Sequence, residues 1–249
     1  MKHNFEIENK YYQKALQHLT IGQVGRNYLK KRGIKEETIE KWEIGWSPYK
    51  CIPPNYKDWN DSDKPWPKMW GGITFPIRDE NGKIVSISRR LVLQLDKPKY
   101  DHYPFQARKI IFGLYQNKKD IQKLGRVLIT EGQMDVIMAW QEGLKIVGST
   151  FGAHCSLDHF AVLSRYASTI DILYDGDAAG YKGTKAIKDF PTWGDLIVNL
   201  RTGIFKKGED LDNWIQKNSV EKMFELLNDG KINSLKDRIN QLKGLKGGN

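Results

Sequence analysis

Three acidic segments stand out because two of them directly follow a short apolar run and the third lies past another such run. Carboxylate oxygens are hard ligands that suit Mg²⁺ or Mn²⁺. Crowded carboxylates repel one another by about 4 kcal/mol per pair at roughly 4 Å and an effective dielectric near 20, and a divalent ion removes that cost. A cluster of this size predicts two or more ions, which suits an in-line phosphoryl displacement. The residues are Glu131, Asp135, Asp175, Asp177, Glu209, Asp210 and Asp212.

The elements that position these residues are short apolar strands alternating with helices. This alternation predicts a mostly parallel sheet covered by helices. Ligands of such sheets bind beyond the carboxyl ends of the strands, so we expect the acidic segments to meet at one edge. The predicted strands are 126–130, 145–148, 170–174 and 195–200, and the predicted helices are 133–141, 156–165 and 178–189.

A purely structural role is the alternative for each carboxylate. Asp and Glu at strand ends are common turn formers and helix caps, and for any one of them that interpretation is favoured. The ordered set on successive strands favours a metal site instead. Gly132, Gly176 and Gly180 fit this hypothesis because glycine lets backbone approach closely or turn sharply.

The first half of the chain has a different pattern. Helices are predicted over 10–31 and 35–42, an irregular segment over 47–72, and a hairpin from strands 72–77 and 83–88. A helical, amphipathic tail is predicted over 210–243. The formal net charge is +10, and residues 1–120 hold 23 basic and 14 acidic residues. This excess favours a polyanionic partner, although a basic protein without such a partner remains the alternative.

Several classes of protein are excluded. The chain has only two cysteines, Cys51 and Cys155. We therefore expect neither a disulfide scaffold nor a cysteine-based zinc site, and no bound zinc. No apolar run approaches the roughly 20 residues of a membrane span, and the polar first residues do not form a signal peptide. We therefore expect no membrane partner and a cytoplasmic setting.

The acidic segments resemble the motifs of the TOPRIM domain in its bacterial DnaG-type primase form. Thr130–Val136 (TEGQMDV) is similar to the glutamate motif and Tyr174–Gly180 (YDGDAAG) to the Asp-x-Asp motif. Gly208–Asp212 (GEDLD) resembles the third acidic segment, with Leu211 where the family usually has proline. Upstream segments resemble the primase N-terminal subdomain in the family's order, namely Phe75–Asp79, Gly82–Val85, Arg90, Pro98–Tyr100 and Phe112–Tyr115.

The resemblance implies an α/β fold class. A TOPRIM domain with a central, mostly parallel sheet flanked by helices would follow an α+β N-terminal primase subdomain and precede a short helical tail. The implied domains are a basic subdomain at 1–122, the TOPRIM domain at 123–205, and the third acidic segment with the tail at 206–249.

The resemblance also implies roles for individual residues. Glu131, Asp175 and Asp177 would be the catalytic metal ligands, with Asp210 and Asp212 as further ligands and Asp135 as a supporting residue. The ions would be Mg²⁺ or Mn²⁺, two or more. Template and nucleotide phosphates would be held by basic and aromatic residues, namely Arg78, Arg90, Lys99, Tyr100, Arg108 and Lys109.

The implied activity is that of a DNA primase core, which makes short RNA primers from ribonucleoside triphosphates on single-stranded DNA. The sequence shows no zinc-binding segment, so a phage- or plasmid-type minimal primase in a bacterial host cell is the expected source. Whether a replicative helicase or a separate zinc-binding protein assists stays open. The alternatives are a TOPRIM nucleic-acid-binding protein or replication regulator without polymerase activity, and a TOPRIM nuclease.

Overall fold

The computed structural model describes residues 23–47, 72–92, 99–102, 106–188, 198–218, 222–223 and 226. These residues form two compact units, a first unit that precedes Gln106 and a second unit that begins there. No helix among the described residues is long and apolar enough to cross a bilayer. The segment 47–72, the start of the helix predicted over 10–31, and most of the predicted tail lie outside the described residues.

The first unit is built on a four-stranded antiparallel sheet of order β1-β2-β3-β4. Strands β2 and β3 form the predicted hairpin, and Asp79 shapes its turn by accepting hydrogen bonds from the backbone N–H groups of Asn81 and Lys83, both at 2.9 Å. Two helices precede the sheet. The elements are α1 (Gln23–Lys31), α2 (Glu36–Lys41), β1 (Gly45–Ser47), β2 (Gly72–Arg78), β3 (Ile84–Leu91) and β4 (Tyr100–His102).

The second unit contains the predicted parallel sheet, with four strands in the order β6-β5-β7-β8. Its strands are mostly apolar and buried, which is typical of a parallel sheet. The elements are a 3₁₀ turn (Ala107–Lys109), α3 (Leu114–Leu124), β5 (Arg126–Thr130), α4 (Gln133–Gln141), β6 (Val147–Ser149), α5 (Leu157–Leu163), β7 (Thr169–Tyr174), α6 (Ala178–Lys188), β8 (Asn199–Ile204) and α7 (Leu211–Ile215). The α/β prediction is confirmed.

One strand boundary differs from the sequence prediction, since β8 begins at Asn199 rather than at 195. The two compact units divide before Gln106, and the domain bounds 1–122, 123–205 and 206–249 stay predictions. Two contacts tie residues 112–117 to the parallel sheet. Phe112 exchanges two backbone hydrogen bonds with Ser149, at 2.9 and 3.0 Å, and the buried amide of Asn117 donates to the Val147 carbonyl at 2.8 Å.

Candidate functional site

The three acidic segments leave the parallel sheet at one edge. Strand β7 pairs in parallel with both β5 and β8, so the carboxyl ends of these strands point the same way. Glu131 follows β5 directly, Asp175 follows β7 directly, and the loop after β8 leads to Asp210. The structure thus brings these segments together as the sequence predicts, while their roles as metal ligands stay predictions.

Hydrogen bonds to the backbone join the three loops. The Glu131 carboxylate accepts a hydrogen bond from the backbone N–H of Asp175 at 3.0 Å. The N–H of Gly176 donates to the carbonyl of Glu209 at 2.9 Å, and the N–H of Gly208 donates to the carbonyl of Gly176 at 3.1 Å. The chain itself therefore fixes the positions of the loops that carry the carboxylates.

The acidic side chains also act as caps, so the structural alternative holds for several of them. Asp177 accepts from the N–H of Gly180 at 2.9 Å. Asp210 is the N-cap of α7 and accepts from the N–H of Asn213 at 2.8 Å. Each of these bonds uses one carboxylate oxygen, and a carboxylate has two. Capping and metal ligation are therefore compatible in the same residue.

Asp135 is influenced by carboxylates of the other two acidic segments. It is only 8% exposed, and its carboxylate accepts from the N–H of Gly132 at 3.0 Å. Burial in the first place, and then the negative charges of Asp175, Asp210 and Asp212, raise the pKa of Asp135 to about 8. A negative charge on Asp135 is therefore disfavoured by its surroundings.

Close backbone approach explains two of the glycines in this site. A Cβ on Gly176 would lie 1.8 Å from the carbonyl oxygen of Lys206. A Cβ on Gly180 would lie 2.1 Å from the carbonyl oxygen of Asp175 and 3.0 Å from a carboxylate oxygen of Glu131. The prediction that these positions need glycine for close approach is confirmed.

The chemistry of the donors fits a divalent cation. Each of the three loops carries carboxylates, and carboxylate oxygens are the hard donors that a divalent cation prefers. Within the described ranges, no three His, Cys, Asp or Glu side chains are already arranged as a metal site. The fit to a divalent cation therefore rests on two features, namely that the donors are carboxylates and that their loops lie at the same edge of the sheet.

Among the predicted phosphate-binding residues, Arg90 and Tyr100 are in contact in the first unit. Arg90 Nη1 donates to the Tyr100 hydroxyl at 2.7 Å, and its guanidinium carbon lies 5.1 Å from the centroid of the Tyr100 ring. Lys99 is adjacent in sequence and exposed, and its carbonyl accepts from the N–H of Leu91 at 2.9 Å. These three residues form one basic and aromatic group.

Arg78 is at the other end of the same hairpin. Arg90 pairs with Ile73 in the β2–β3 register, five residues before Arg78, which corresponds to about 17 Å along a strand. Arg78 forms an ion pair with Glu43 and donates to the Gly82 carbonyl at 2.6 Å. In this structure Arg78 supports the hairpin turn and is separated from the group around Arg90.

Arg108 and Lys109 belong to the 3₁₀ turn of the second unit, and α5 holds this turn. His159, which is 2% exposed, donates from Nε2 to the Ala107 carbonyl at 2.7 Å, while Nδ1 accepts from the Ser156 N–H at 3.1 Å. The Ser156 hydroxyl donates to the Arg108 carbonyl at 3.2 Å. Burial lowers the pKa of His159, so the neutral imidazole that this arrangement requires is favoured.

Known proteins share both parts of this architecture. Residues 128–215 match the family described as Toprim-like. The DNA primase of Halalkalibacterium halodurans is 30% identical over 239 residues, which cover 87% of this chain and 39% of that protein. The solved DnaG catalytic core aligns with a TM-score of 0.77 at 26% identity, over 91% of this chain and 79% of that one. Over most of its length the chain is therefore homologous to DnaG-type primases, and its fold matches their catalytic core.

The match to the primase core extends well beyond the Toprim-like segment. A DnaG primase catalytic domain solved with single-stranded DNA also aligns over 91% of this chain and 80% of that one, with a TM-score of 0.74 at 25% identity. The first unit is therefore included in the similarity. The chain spans about two fifths of the length of the curated primases that it matches.

Two groups of charged residues in this chain were not predicted from the sequence. Asp171, fully buried in β7, forms ion pairs with Arg126 and Arg201 on the two neighbouring strands. The position of Asp171 between Ile170 and Ile172 could have predicted an ion pair, since an isolated charge in an apolar strand needs a partner. The second group is the contact between Tyr28 and Arg90, for which local sequence gives no signal because the residues are 62 positions apart.

Proposed function

We propose that this chain is the catalytic core of a DNA primase, which joins ribonucleotides into short RNA primers on a single-stranded DNA template. The observation that carries the proposal is the set of three acidic loops joined by backbone hydrogen bonds at one sheet edge. The similarity to DnaG cores supports it, because it includes the first unit as well as the Toprim-like segment. A protein that shared only the Toprim-like segment would fit a nuclease equally well.

The acidic edge would hold two or more Mg²⁺ or Mn²⁺ ions through Glu131, Asp175, Asp177, Asp210 and Asp212. Such ions supply charge neutralisation for the in-line attack of a 3′-hydroxyl on an α-phosphate. Asp135 would support the ligands through its bond to the Gly132 N–H. The chain's own contribution is placement, since Glu131 orients the Asp175 backbone and the glycines allow the loops to approach one another.

The basic residues would bind the phosphates of the template and of the ribonucleoside triphosphates. Arg90, Lys99 and Tyr100 supply one group, and Arg108 and Lys109 supply another. Charge-assisted hydrogen bonds to phosphate are the interaction that arginine forms best. Arg78 would have to give up its ion pair with Glu43 to join them. A replicative helicase and a separate zinc-binding protein are the partners to test for this core.

The test is a primer-synthesis assay on mixed-sequence single-stranded DNA with labelled ribonucleotides and either Mg²⁺ or Mn²⁺. The variant carries Asp175→Asn and Asp177→Asn together. The matched control carries Glu142→Gln and Asp158→Asn, which change the charge equally at two exposed positions outside the acidic loops. We expect short RNA products from the wild type and the control, and none from the variant.

Other outcomes would contradict the proposal in different ways. Metal-dependent synthesis by the variant would refute the assigned ligands. Cleavage of the DNA without RNA synthesis would indicate a nuclease. Binding of intact DNA without any product, even when a helicase and a zinc-binding protein are supplied, would indicate a nucleic-acid-binding protein without polymerase activity.

A further inference from the structure

Tyr28 brings two arginines of the first unit to a single hydroxyl group. The Tyr28 hydroxyl accepts hydrogen bonds from Arg90 Nε and from Arg32 Nε, the latter at 3.3 Å. The guanidinium carbons of Arg90 and Arg32 lie 5.8 and 6.0 Å from the centroid of the Tyr28 ring. Residues from α1, the turn after it and β3 thus meet at one phenol, although Arg90 is 62 positions from Tyr28.

The partners of Arg90 orient its charge without cancelling it. Nε donates to the Tyr28 hydroxyl and Nη1 donates to the Tyr100 hydroxyl, so two of its five N–H groups are used. Both hydroxyls are neutral. By contrast, Arg78 is paired with Glu43, and Arg126 is paired with Asp171. Arg90 is therefore held in the way a phosphate-binding arginine needs to be held, with its fork fixed and its charge retained.

The shared hydroxyl also places the two guanidinium groups beside one another. Arg32 Nε and Arg90 Nε both donate to the Tyr28 hydroxyl oxygen, and arginine forks match phosphate oxygens in geometry. Arg32 and Arg90 are both partly exposed, so a phosphate can reach them from solvent.

We propose that Tyr28 is a positioning residue that holds Arg32 and Arg90 as a phosphate-binding pair. The inference rests on the proposed function, because it takes the phosphate to belong to a nucleic acid or nucleotide. The shared chemistry is a phosphate oxygen, which either the backbone of the single-stranded template or an incoming ribonucleoside triphosphate can supply. The two arms of the test distinguish these sources.

The first arm measures binding of a labelled oligothymidylate by fluorescence anisotropy at several KCl concentrations. The variants are Tyr28→Phe, Arg90→Gln and their combination, with Tyr115→Phe as the matched control because Tyr115 is an exposed tyrosine of the second unit. If the template supplies the phosphate, we expect Tyr28→Phe to weaken binding about fivefold in the wild-type background and by less in the Arg90→Gln background, where Tyr28 still contacts Arg32. In that case Arg90→Gln should also make the negative slope of log K (the association constant) against log [KCl] shallower by about 0.7.

The second arm measures the KM for ribonucleoside triphosphates during primer synthesis. A rise in KM with unchanged affinity for oligothymidylate assigns the phosphate to the nucleotide, and the reverse assigns it to the template. Either result supports the proposal. Arg32→Gln, at a partly exposed position, provides a second variant and should show the same loss in whichever arm responds.

Two results would overturn the inference. One is a Tyr28→Phe protein that retains its fold by circular dichroism and binds both oligothymidylate and nucleotide like the wild type. The other is an equal loss in the presence and absence of Arg90, which would mean that Tyr28 does not act through that residue. Failure of the proposed function is a separate outcome. The wild-type protein would then make no primers, while the anisotropy measurement would still compare oligothymidylate binding by the variants.

Discussion

Replacing Gly176 by alanine tests whether close contact between two acidic loops is needed for activity. The new Cβ would lie 1.8 Å from the carbonyl oxygen of Lys206 and 2.7 Å from that of Phe205. Real Cβ atoms essentially never approach closer than 3.0 Å, so the loops must separate by about 1.2 Å at the tighter contact. Both neighbours are backbone atoms, so no side-chain rotation can relieve the clash.

This displacement acts on stability and activity to different extents. It strains the two hydrogen bonds of Gly176 to Glu209 and Gly208, each worth about 1 kcal/mol, and overpacking adds roughly 1–3 kcal/mol. If both bonds are lost, we expect a decrease of about 3–5 kcal/mol in the free energy of unfolding. Because Asp175 and Asp177 flank the glycine, a misplacement of about 1 Å should lower kcat by about 100-fold.

The assay pairs urea unfolding with primer synthesis under saturating Mg²⁺. Gly208→Ala is the matched control in the loop that Gly176 contacts, since Gly208 has φ of +82° but open space around its Cβ position. The left-handed conformation should cost that variant about 1–2 kcal/mol, with kcat within a few-fold of the wild type. Wild-type kcat and stability in Gly176→Ala would refute the steric reasoning, and equal activity losses in both variants would attribute the effect to stability alone.

Three further predictions follow from charges in the second unit. Asp171→Asn should lower the free energy of unfolding by about 3 kcal/mol, because two arginines lose a buried partner, whereas exposed Asp158→Asn should change it by under roughly 0.5 kcal/mol; urea titrations compare them. Mg²⁺ at 100 times its Kd should stabilise the protein by about 2.7 kcal/mol, and the Asp175→Asn, Asp177→Asn protein should lose this shift in a thermal melt with MgCl₂ or EDTA. Because burial lowers the pKa of His159, the unfolded chain takes up its proton more readily, so stability should fall as the pH drops below about 6.5; His159→Gln should remove that part of the pH dependence in unfolding curves at pH 7 and 5.5.

The parallel sheet and its acidic edge were predictable because local signals agreed. Apolar runs such as Arg126–Thr130 and Thr169–Tyr174 are short, and each ends directly before a carboxylate. The order of such segments along the chain places their ends at the same edge. The hairpin of the first unit was predictable from Asp79 and Gly82, whose turn chemistry the structure retains.

The position of β8 was wrong because its register depends on a partner strand. The apolar pattern predicts a strand over 195–200, whereas β8 runs over Asn199–Ile204. This register places Arg201 opposite Asp171, where the two form an ion pair. No local pattern encodes that pairing. Other contacts of the second unit are equally invisible to local sequence, since Phe112 pairs with Ser149, and the amide of Asn117 bonds to Val147, across 30 or more residues in sequence.

The bonds from Glu131 to Asp175 and from Gly176 to Glu209 have a consequence for how ions would enter and leave. Ordering the backbone of one loop residue costs about 1–2 kcal/mol in entropy. Here that ordering is complete once the chain has folded, so an arriving ion has only side chains to arrange. In the proposed reaction, ions can therefore exchange between successive nucleotide additions while the three loops keep their places.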